Sequence, residues 1–155
     1  MMTEENKKSD SLISLFETKK SLTITLLRAR ESLMMSFRPL LAKHNFTEQQ
    51  WRVLRVLGEK GPCDAGQLAT EACILSPSLS RIINTLIENN FIIKKEDKSD
   101  KRKIILEISD EGKIKLESIK PEYLAILKSI QKRYGEDKIN KILNLLTEII
   151  DWRSR

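Results

Sequence analysis

The stretch Ser76–Ser109, SPSLSRIINTLIENNFIIKKEDKSDKRKIILEIS, decides how the chain folds. Ser76 followed by Pro77 pairs an N-cap residue with a first-turn proline, a combination that announces a helix start. At about 100° per residue, Leu79, Ile82, Ile83 and Leu86 fall on one stripe of that helix and Pro77, Arg81, Asn84 and Glu88 on the opposite one, flanked by Ser78, Ser80 and Thr85. The apolar stripe faces a core. The other side is small and hydrogen-bonding near its start and carries one arginine able to bind guanine in a bidentate manner, the chemistry of a helix that enters a major groove. FIIKK and IILEIS then read as two strands of a hairpin. The intervening EDKSDKRKI is longer than the roughly two to five residues that a hairpin loop requires. That extra length gives reach. Lys98, Lys101 and Arg102 at its tip suit the phosphate backbone and the narrow minor groove, and Asp100, with Asp97 nearby, suits holding Arg102 in one orientation through a charge-assisted hydrogen bond.

Upstream, HNFTEQQW separates two helical patterns. Asn45 fits a left-handed C-terminal position, while Thr47 with Gln50 forms a capping-box pattern for a helix carrying Trp51, Val53, Leu54, Val56 and Leu57. That helix stops at GEKGP. Asp64 is an N-cap for a compact helix AGQLATEA, and a brief turn, CIL, joins it to the Ser76 helix. Two short helices, a tight turn and a basic hairpin form the order of a winged helix-turn-helix, expected over residues 47–108. Before it, residues 11–45 show one long amphipathic pattern with Leu22, Leu26, Leu33, Phe37 and Leu40 or Leu41 on a face. After it, residues 109–155 read as a long helix opened by Ser109, containing Pro121 and broken at Gly135, then a last helix with Ile139, Ile142, Leu143, Leu146, Ile149 and Ile150. These flanking helices carry more aliphatic surface than a small lobe can cover, which points to a dimer interface. The expectation is a single domain over residues 1–155, mainly α with a small β-hairpin: a winged helix-turn-helix lobe plus a helical dimerisation region, preceded by a loose tail over residues 1–10.

The 155 residues contain 28 Lys and Arg against 22 Asp and Glu, a net charge of +6 that suits a polyanionic partner without requiring one. No apolar run approaches the roughly 18 residues of a membrane span, and the N-terminus lacks the apolar core of a signal peptide, so a cytoplasmic protein with no membrane partner is expected. Gly-rich phosphate loops, Gly-x-Ser-x-Gly and His-Glu-x-x-His are absent, and His44 is the single histidine, so neither catalysis nor a cofactor is expected. Cys63 and Cys73 have no Cys-x-x-Cys spacing and no nearby histidine, which argues against a metal site. They read as plain thiols, with a peroxide-sensing cysteine as the alternative.

Three segments, TEQQWRVLRVL, QLATEACILSPSLSRIINTLIENNFI and DKSDKRK with the following LEISDEGK, together resemble the MarR family of winged-helix transcription regulators. The resemblance extends from about Ser21 onward. Its most specific part is the wing, where the family pattern of Asp, two residues, Asp, a basic residue and Arg is met by Asp97, Asp100, Lys101 and Arg102. Within the family, LTITLLRARESLMMSFRPLLAKHNFTEQQWRVLRVL is most similar to repressors of aromatic-acid catabolic operons. The resemblance implies a homodimer that binds a pseudo-palindromic double-stranded operator and is released by a small phenolic or aromatic carboxylate. Contacts to DNA would come from Pro77, Ser78, Ser80, Arg81, Asn84, Lys98, Asp100, Lys101 and Arg102. The family's effector pocket corresponds here to Arg28, Arg30, Phe37, Arg38, His44, Trp51 and Arg52, with Arg30 the first choice for pairing with the carboxylate.

Overall fold

The computed structural model describes residues 15–97, 100 and 102–152. The expected tail over residues 1–10 and the first part of the helix expected from Ser11 lie outside the described residues. The chain divides into two compact units, Met1–Pro39 and Leu40–Arg155.

In the first unit the helical pattern expected from Ser11 is interrupted: Leu15 and Phe16 are helical and a turn follows. The chain turns at Glu17, whose carbonyl accepts from the amides of Lys20 at 2.9 Å and Ser21 at 2.8 Å. Helix α1 then runs Leu22–Lys43. Thr18 and Ser21 lie in this break, where short hydroxyl side chains favour a turn over a continued helix, and the Ser21 hydroxyl lies 3.1 Å from that of Thr23 in the first turn of α1. Pro39, the last residue of the first unit, lies inside α1 and leaves the helix without one amide donor.

The second unit holds the rest. Asn45, at φ 61°, ends α1 in the left-handed region. Helix α2, Glu48–Lys60, opens with a complete capping box between Thr47 and Gln50 and buries Trp51, Val53, Leu54 and Leu57. Strand β1, Cys63–Asp64, leads to α3, Ala65–Ala72, where Asp64 and Gln67 form a second capping box. Helix α4 spans Ser76–Glu88 and buries Leu79, Ile82, Ile83 and Leu86, the stripe read from the wheel. Its start differs from the expectation. Leu75 occupies the N-cap with no side-chain hydrogen bond, and its carbonyl accepts from the Leu79 amide at 3.0 Å, so the first helical bond forms one residue early and Ser76 is already inside the helix. Pro77 still sits in the first turn, where a missing amide leaves no acceptor unmatched.

Strands β2, Ile92–Glu96, and β3, Ile104–Ile108, form the wing with Ile92 opposite Ile108 and Glu96 opposite Ile104. The sequence suggested a simple hairpin, yet β1 adds a third antiparallel strand, giving the order β1-β3-β2 with Cys63 opposite Leu106. Two residues are too few to display the alternation by which strands are recognised. Ser109 caps α5, Asp110–Tyr134, by accepting from the Gly112 amide at 2.9 Å, and Pro121 is accommodated within the helix. Gly135, at φ 85°, separates α5 from α6, Glu136–Asp151.

Backbone and side chains approach closely at the join between α4, the wing and α5. The Ser109 hydroxyl donates to the Asn90 carbonyl at 2.5 Å, and the Ser109 amide donates to the Phe91 carbonyl at 3.0 Å. A Cβ at Gly112 would lie 2.2 Å from the Phe91 carbonyl oxygen and 2.8 Å from Cγ1 of Ile108. Gly112→Ala is therefore expected to destabilise the fold by at least about 2 kcal/mol, because the obstacle is backbone. Gly58→Ala, which would meet the movable Leu116 tip at 3.1 Å, is expected to stay within about 1 kcal/mol of the parent. Chemical denaturation of the two variants checks the contrast.

Candidate functional site

Helix α4 presents Pro77, Ser78, Ser80, Arg81 and Asn84 as exposed residues along the side opposite its buried stripe. Their hydrogen-bonding capacities differ. The Ser80 hydroxyl donates to the Ser76 carbonyl at 3.4 Å and the Thr85 hydroxyl to the Arg81 carbonyl at 3.1 Å, so both are left as acceptors. Arg81 and Asn84 are exposed and make no side-chain hydrogen bond among the described residues, which leaves their donors available.

At the wing tip, Asp97 and Asp100 organise the loop. The Asp97 amide donates to the Lys103 carbonyl at 3.0 Å and the Lys103 amide to the Asp100 carbonyl at 2.8 Å. The Asp97 carboxylate accepts from the Asp100 amide at 2.9 Å. One oxygen of Asp100 takes both the backbone amide of Arg102 at 3.1 Å and its Nε at 3.2 Å. The Arg102 side chain is 92% exposed, so Nε is engaged while the outer edge of the guanidinium faces solvent. Lys98 and Lys101 lie outside the described residues.

The residues assigned to an effector divide between the two units. In Met1–Pro39, Arg30 and Arg38 both bond Glu31 of their own helix, Arg28 is exposed and Phe37 is buried. In Leu40–Arg155, His44, Trp51 and Arg52 go to three different places. His44 Nε2 lies 3.0 Å from one oxygen of Glu122 and Lys43 Nζ 2.8 Å from the other, joining the end of α1 to α5. The hydrogen bonds from Lys43 and then His44 hold the Glu122 carboxyl below the ordinary glutamate range. Arg52 donates to the carbonyl of Cys73 at 3.4 Å and so ties α2 to the turn between α3 and α4. Its position is that of a brace for the helix-turn-helix.

Trp51 anchors a group that sequence reasoning only partly found. Its ring centroid is 5.7 Å from that of Tyr123 on α5, and the Arg55 guanidinium sits 5.3 Å from the Tyr123 ring centroid while donating to its hydroxyl at 3.3 Å. Arg55 also donates to Glu59 at 2.7 and 3.1 Å. Partial burial opposes the charge on Arg55, but the bonds to Glu59 and Tyr123 outweigh it and raise its pKa above the usual value. Trp51 is 6% exposed, and its indole N–H is buried without a hydrogen-bond partner among the described residues. A buried donor left unmatched is destabilising by about 1–3 kcal/mol, which marks the group as one that gains from meeting an acceptor. Two aromatic rings, a cation and a buried, unmatched N–H thus lie together where α2 packs on α5. Arg55 was legible in part, standing four residues after Trp51 on one helical face, whereas Tyr123 carried no signal at a distance of 68 positions from Arg55.

Among the described residues, no group of three or more His, Cys, Asp or Glu is arranged to hold a metal ion. Both cysteines are free thiols. Burial, reinforced by Asp64 and Glu71, pushes the Cys63 thiol up from its ordinary value, opposite to the depressed pKa of a peroxide-reactive cysteine. Cys73, exposed at the left-handed end of α3, directs its Sγ at the Thr70 carbonyl. No described helix is long and apolar enough to cross a membrane.

A helix-turn-helix followed by a wing, flanked by long helices with uncovered aliphatic faces, defines a winged-helix regulator. The chain belongs to the MarR family, whose sequence signature matches residues 46–104. It is 37% identical over 129 residues to the HTH-type transcriptional regulator FarR of Neisseria gonorrhoeae, spanning 83% of this chain and 88% of that one. It is 35% identical over 130 residues to the homoprotocatechuate degradative operon repressor of Escherichia coli, covering 84% and 88% of the two chains. The narrower resemblance seen in the first helices thus has a counterpart among its relatives. The crystal structure of NadR in complex with 4-hydroxyphenylacetate matches with a TM-score of 0.76 at 37% identity, over 83% of this chain and 92% of that one. The thiol-sensing alternative receives no support from these relatives.

A raised pKa leaves less Cys63 thiolate at neutral pH than an unperturbed thiol would carry. Alkylation of Cys63 by iodoacetamide at pH 7, followed by mass spectrometry, is expected to be slower than that of free cysteine. Faster labelling would contradict the assignment.

Proposed function

We propose that this protein represses an operon for the degradation of a phenolic or aromatic acid, binding a pseudo-palindromic operator as a homodimer and releasing it when the acid binds. It works in the cytoplasm, where the chromosome is, and acts by binding rather than by catalysis. The observation that carries the reading is the cluster of Trp51, Arg55 and Tyr123 with its unmatched indole donor. The ring of a hydroxyphenylacetate stacks on Trp51 and Tyr123, and an acid or phenol oxygen accepts from the indole N–H. Arg55 is the cation in the cluster itself; Arg30, the first choice from the sequence, is the competing one. The E. coli relative, a homoprotocatechuate degradative operon repressor, and NadR with 4-hydroxyphenylacetate favour this ligand class.

The dimer follows from uncovered apolar surface. Helix α6 buries none of its residues, and Ile142, Leu143, Ile149 and Ile150 are 53, 55, 41 and 72% exposed. A second copy covers such a face, and two-fold symmetry sets two recognition helices about one helical turn of DNA apart. On each half-site α4 reads the major groove through Arg81 and Asn84, with Pro77, Ser78 and Ser80 at its entry, and the wing places Arg102 near the minor groove with Lys98 and Lys101 on the phosphates.

The decisive experiment is binding to the DNA upstream of its own gene at fixed salt, with and without 4-hydroxyphenylacetate and its 3,4-dihydroxy analogue. Saturable binding relieved by one acid is expected; binding indifferent to both would remove this ligand class. Arg55→Ala is expected to weaken acid binding at least about tenfold while leaving operator binding intact, with Arg30→Ala in parallel deciding between the two cations.

Base reading and backbone contact separate in a second assay. Arg81→Ala is expected to flatten base preference at one half-site position, a discrimination of about 1–3 kcal/mol. Arg102→Ala is expected to lower affinity for the operator with little change in major-groove preference. Titrations against operators substituted one base pair at a time distinguish the two patterns, and an unchanged affinity for Arg102→Ala would refute the minor-groove role.

A further inference from the structure

The effector cluster and the DNA-binding elements are connected by an unbroken row of aromatic rings. Tyr123 on α5 lies 5.7 Å from Trp51, Trp51 lies 6.0 Å from Phe46 at 67°, and Phe46 stacks on Phe91 at 5.4 Å and 30°. Phe46 is 6% exposed and is fixed at the α1–α2 corner by its amide bond to the Leu41 carbonyl at 2.9 Å. Phe91 occupies the joint between α4 and β2. Its amide donates to the Leu86 carbonyl of α4 at 2.9 Å, and its own carbonyl accepts from Ser109 and abuts Gly112 at the start of α5.

We infer that Phe46 is the positioning residue that transmits occupation of the Trp51–Tyr123 site to the recognition helix and the wing. The inference rests on the functional reading above and adds its regulation. An aromatic ring is a rigid plate with two torsions, so a neighbour that shifts its edge shifts the whole plate. A ligand wedged against Trp51 moves the edge that meets Phe46. Phe46 stacks on Phe91, and Phe91 has little freedom to absorb the displacement because its backbone is held on one side by α4 and on the other by α5. The displacement is relieved as a change in the angle of α4 and the wing relative to α5. Two such angles, one per protomer, set whether both half-sites are met at once. Close-packed groups of this kind switch between discrete arrangements rather than deforming continuously, which is what coupling between distant sites requires.

The test measures coupling separately from binding. For the wild-type protein, Phe46→Leu and Phe91→Leu, operator affinity is measured by fluorescence anisotropy with and without saturating 4-hydroxyphenylacetate, and affinity for that acid by calorimetry on DNA-free protein. Phe46→Leu and Phe91→Leu are expected to bind acid and operator individually within about threefold of wild type. Their ratio of operator affinities without and with acid is expected to fall towards one, from a wild-type factor within the range of about 5–150 usual for coupled sites. Leu68→Val, in the buried core of α3 and not one of the four rings, is expected to lower stability while keeping the wild-type ratio.

A Phe46→Leu protein that binds both partners and keeps the full ratio overturns the inference, as does a Leu68→Val protein whose ratio collapses equally. Should Phe46→Leu fail to fold, Phe91→Leu, whose ring is only half-buried, carries the same expectation and the same refutation. If the wild-type protein shows no binding of the acid by calorimetry, the functional reading has failed and the relay falls with it. If the wild type responds and the variants respond equally, the relay alone has failed.

Discussion

The first turn of α5 approaches the Phe91 carbonyl so closely that only a hydrogen fits on the α-carbon of residue 112, since a Cβ there would stand 2.2 Å from that oxygen. The rest of the second unit depends on this contact. Ser109 bonds Asn90 and Phe91 in the same place, so the end of α4, the base of the wing and the start of the long helix share one anchor. A bulkier residue would lift α5 away, and with it Tyr123, whose ring faces Trp51. The Trp51–Tyr123 cluster and the α4–wing surface are therefore built on one joint, and neither can be displaced without load on the other.

Electrostatics on the wing follow a similar logic of fixing before binding. A loop with several cations repels itself, and a free guanidinium loses considerable rotamer entropy when it docks. Asp100 reduces both effects by taking the Arg102 backbone amide and Nε on one oxygen. The pair is exposed, so its contribution to stability is small, below about 1 kcal/mol. Its consequence is orientation: the guanidinium is held by one edge and offers the other. Lys95 is likewise paired with Glu107 across β2 and β3, which supports the hairpin at its middle rather than its tip.

What the sequence disclosed and what it concealed divide by range. Local grammar was legible: the capping box at Thr47, the N-caps Asp64 and Ser109, the left-handed Asn45 and the buried stripe of α4 all rest on neighbours within about one helical turn. The orientation of Arg102 by Asp100 was legible for the same reason. Local errors arose where two short-range rules compete, as at Ser76, where Leu75 supplies the first helical acceptor, and at residues 17–21, where hydroxyl side chains and a turn interrupt an apolar period. The cluster of Trp51, Arg55 and Tyr123 is different in kind. Trp51 was visible and Arg52 was singled out beside it while Arg55 was not, yet the side chain of Arg52 goes to the Cys73 carbonyl and that of Arg55 to a tyrosine 68 positions away. No periodicity contains that tyrosine, because the pairing is made by the packing of α5 against α2.

The partner that Arg55 already holds bears on how an acid could act as a signal. Glu59 is paired with Arg55 at 2.7 Å, but its side chain is 61% exposed, so losing the guanidinium returns it to water with little penalty. An incoming carboxylate that takes its place sits closer to the buried indole and the Tyr123 ring, where the effective dielectric is lower and the same charge pair is stronger. Exchanging an exposed acid for an enclosed one leaves the local charge balanced and deepens the interaction. Tight binding alone does not release DNA, however, because only the difference in affinity between the two arrangements shifts the equilibrium, about 1.4 kcal/mol for each tenfold change. That difference has to come from geometry. The Trp51 ring that carries the unmatched N–H also packs edge-to-face with Phe46, so under the proposed reading enclosing the acid and seating α4 make opposing demands on one ring.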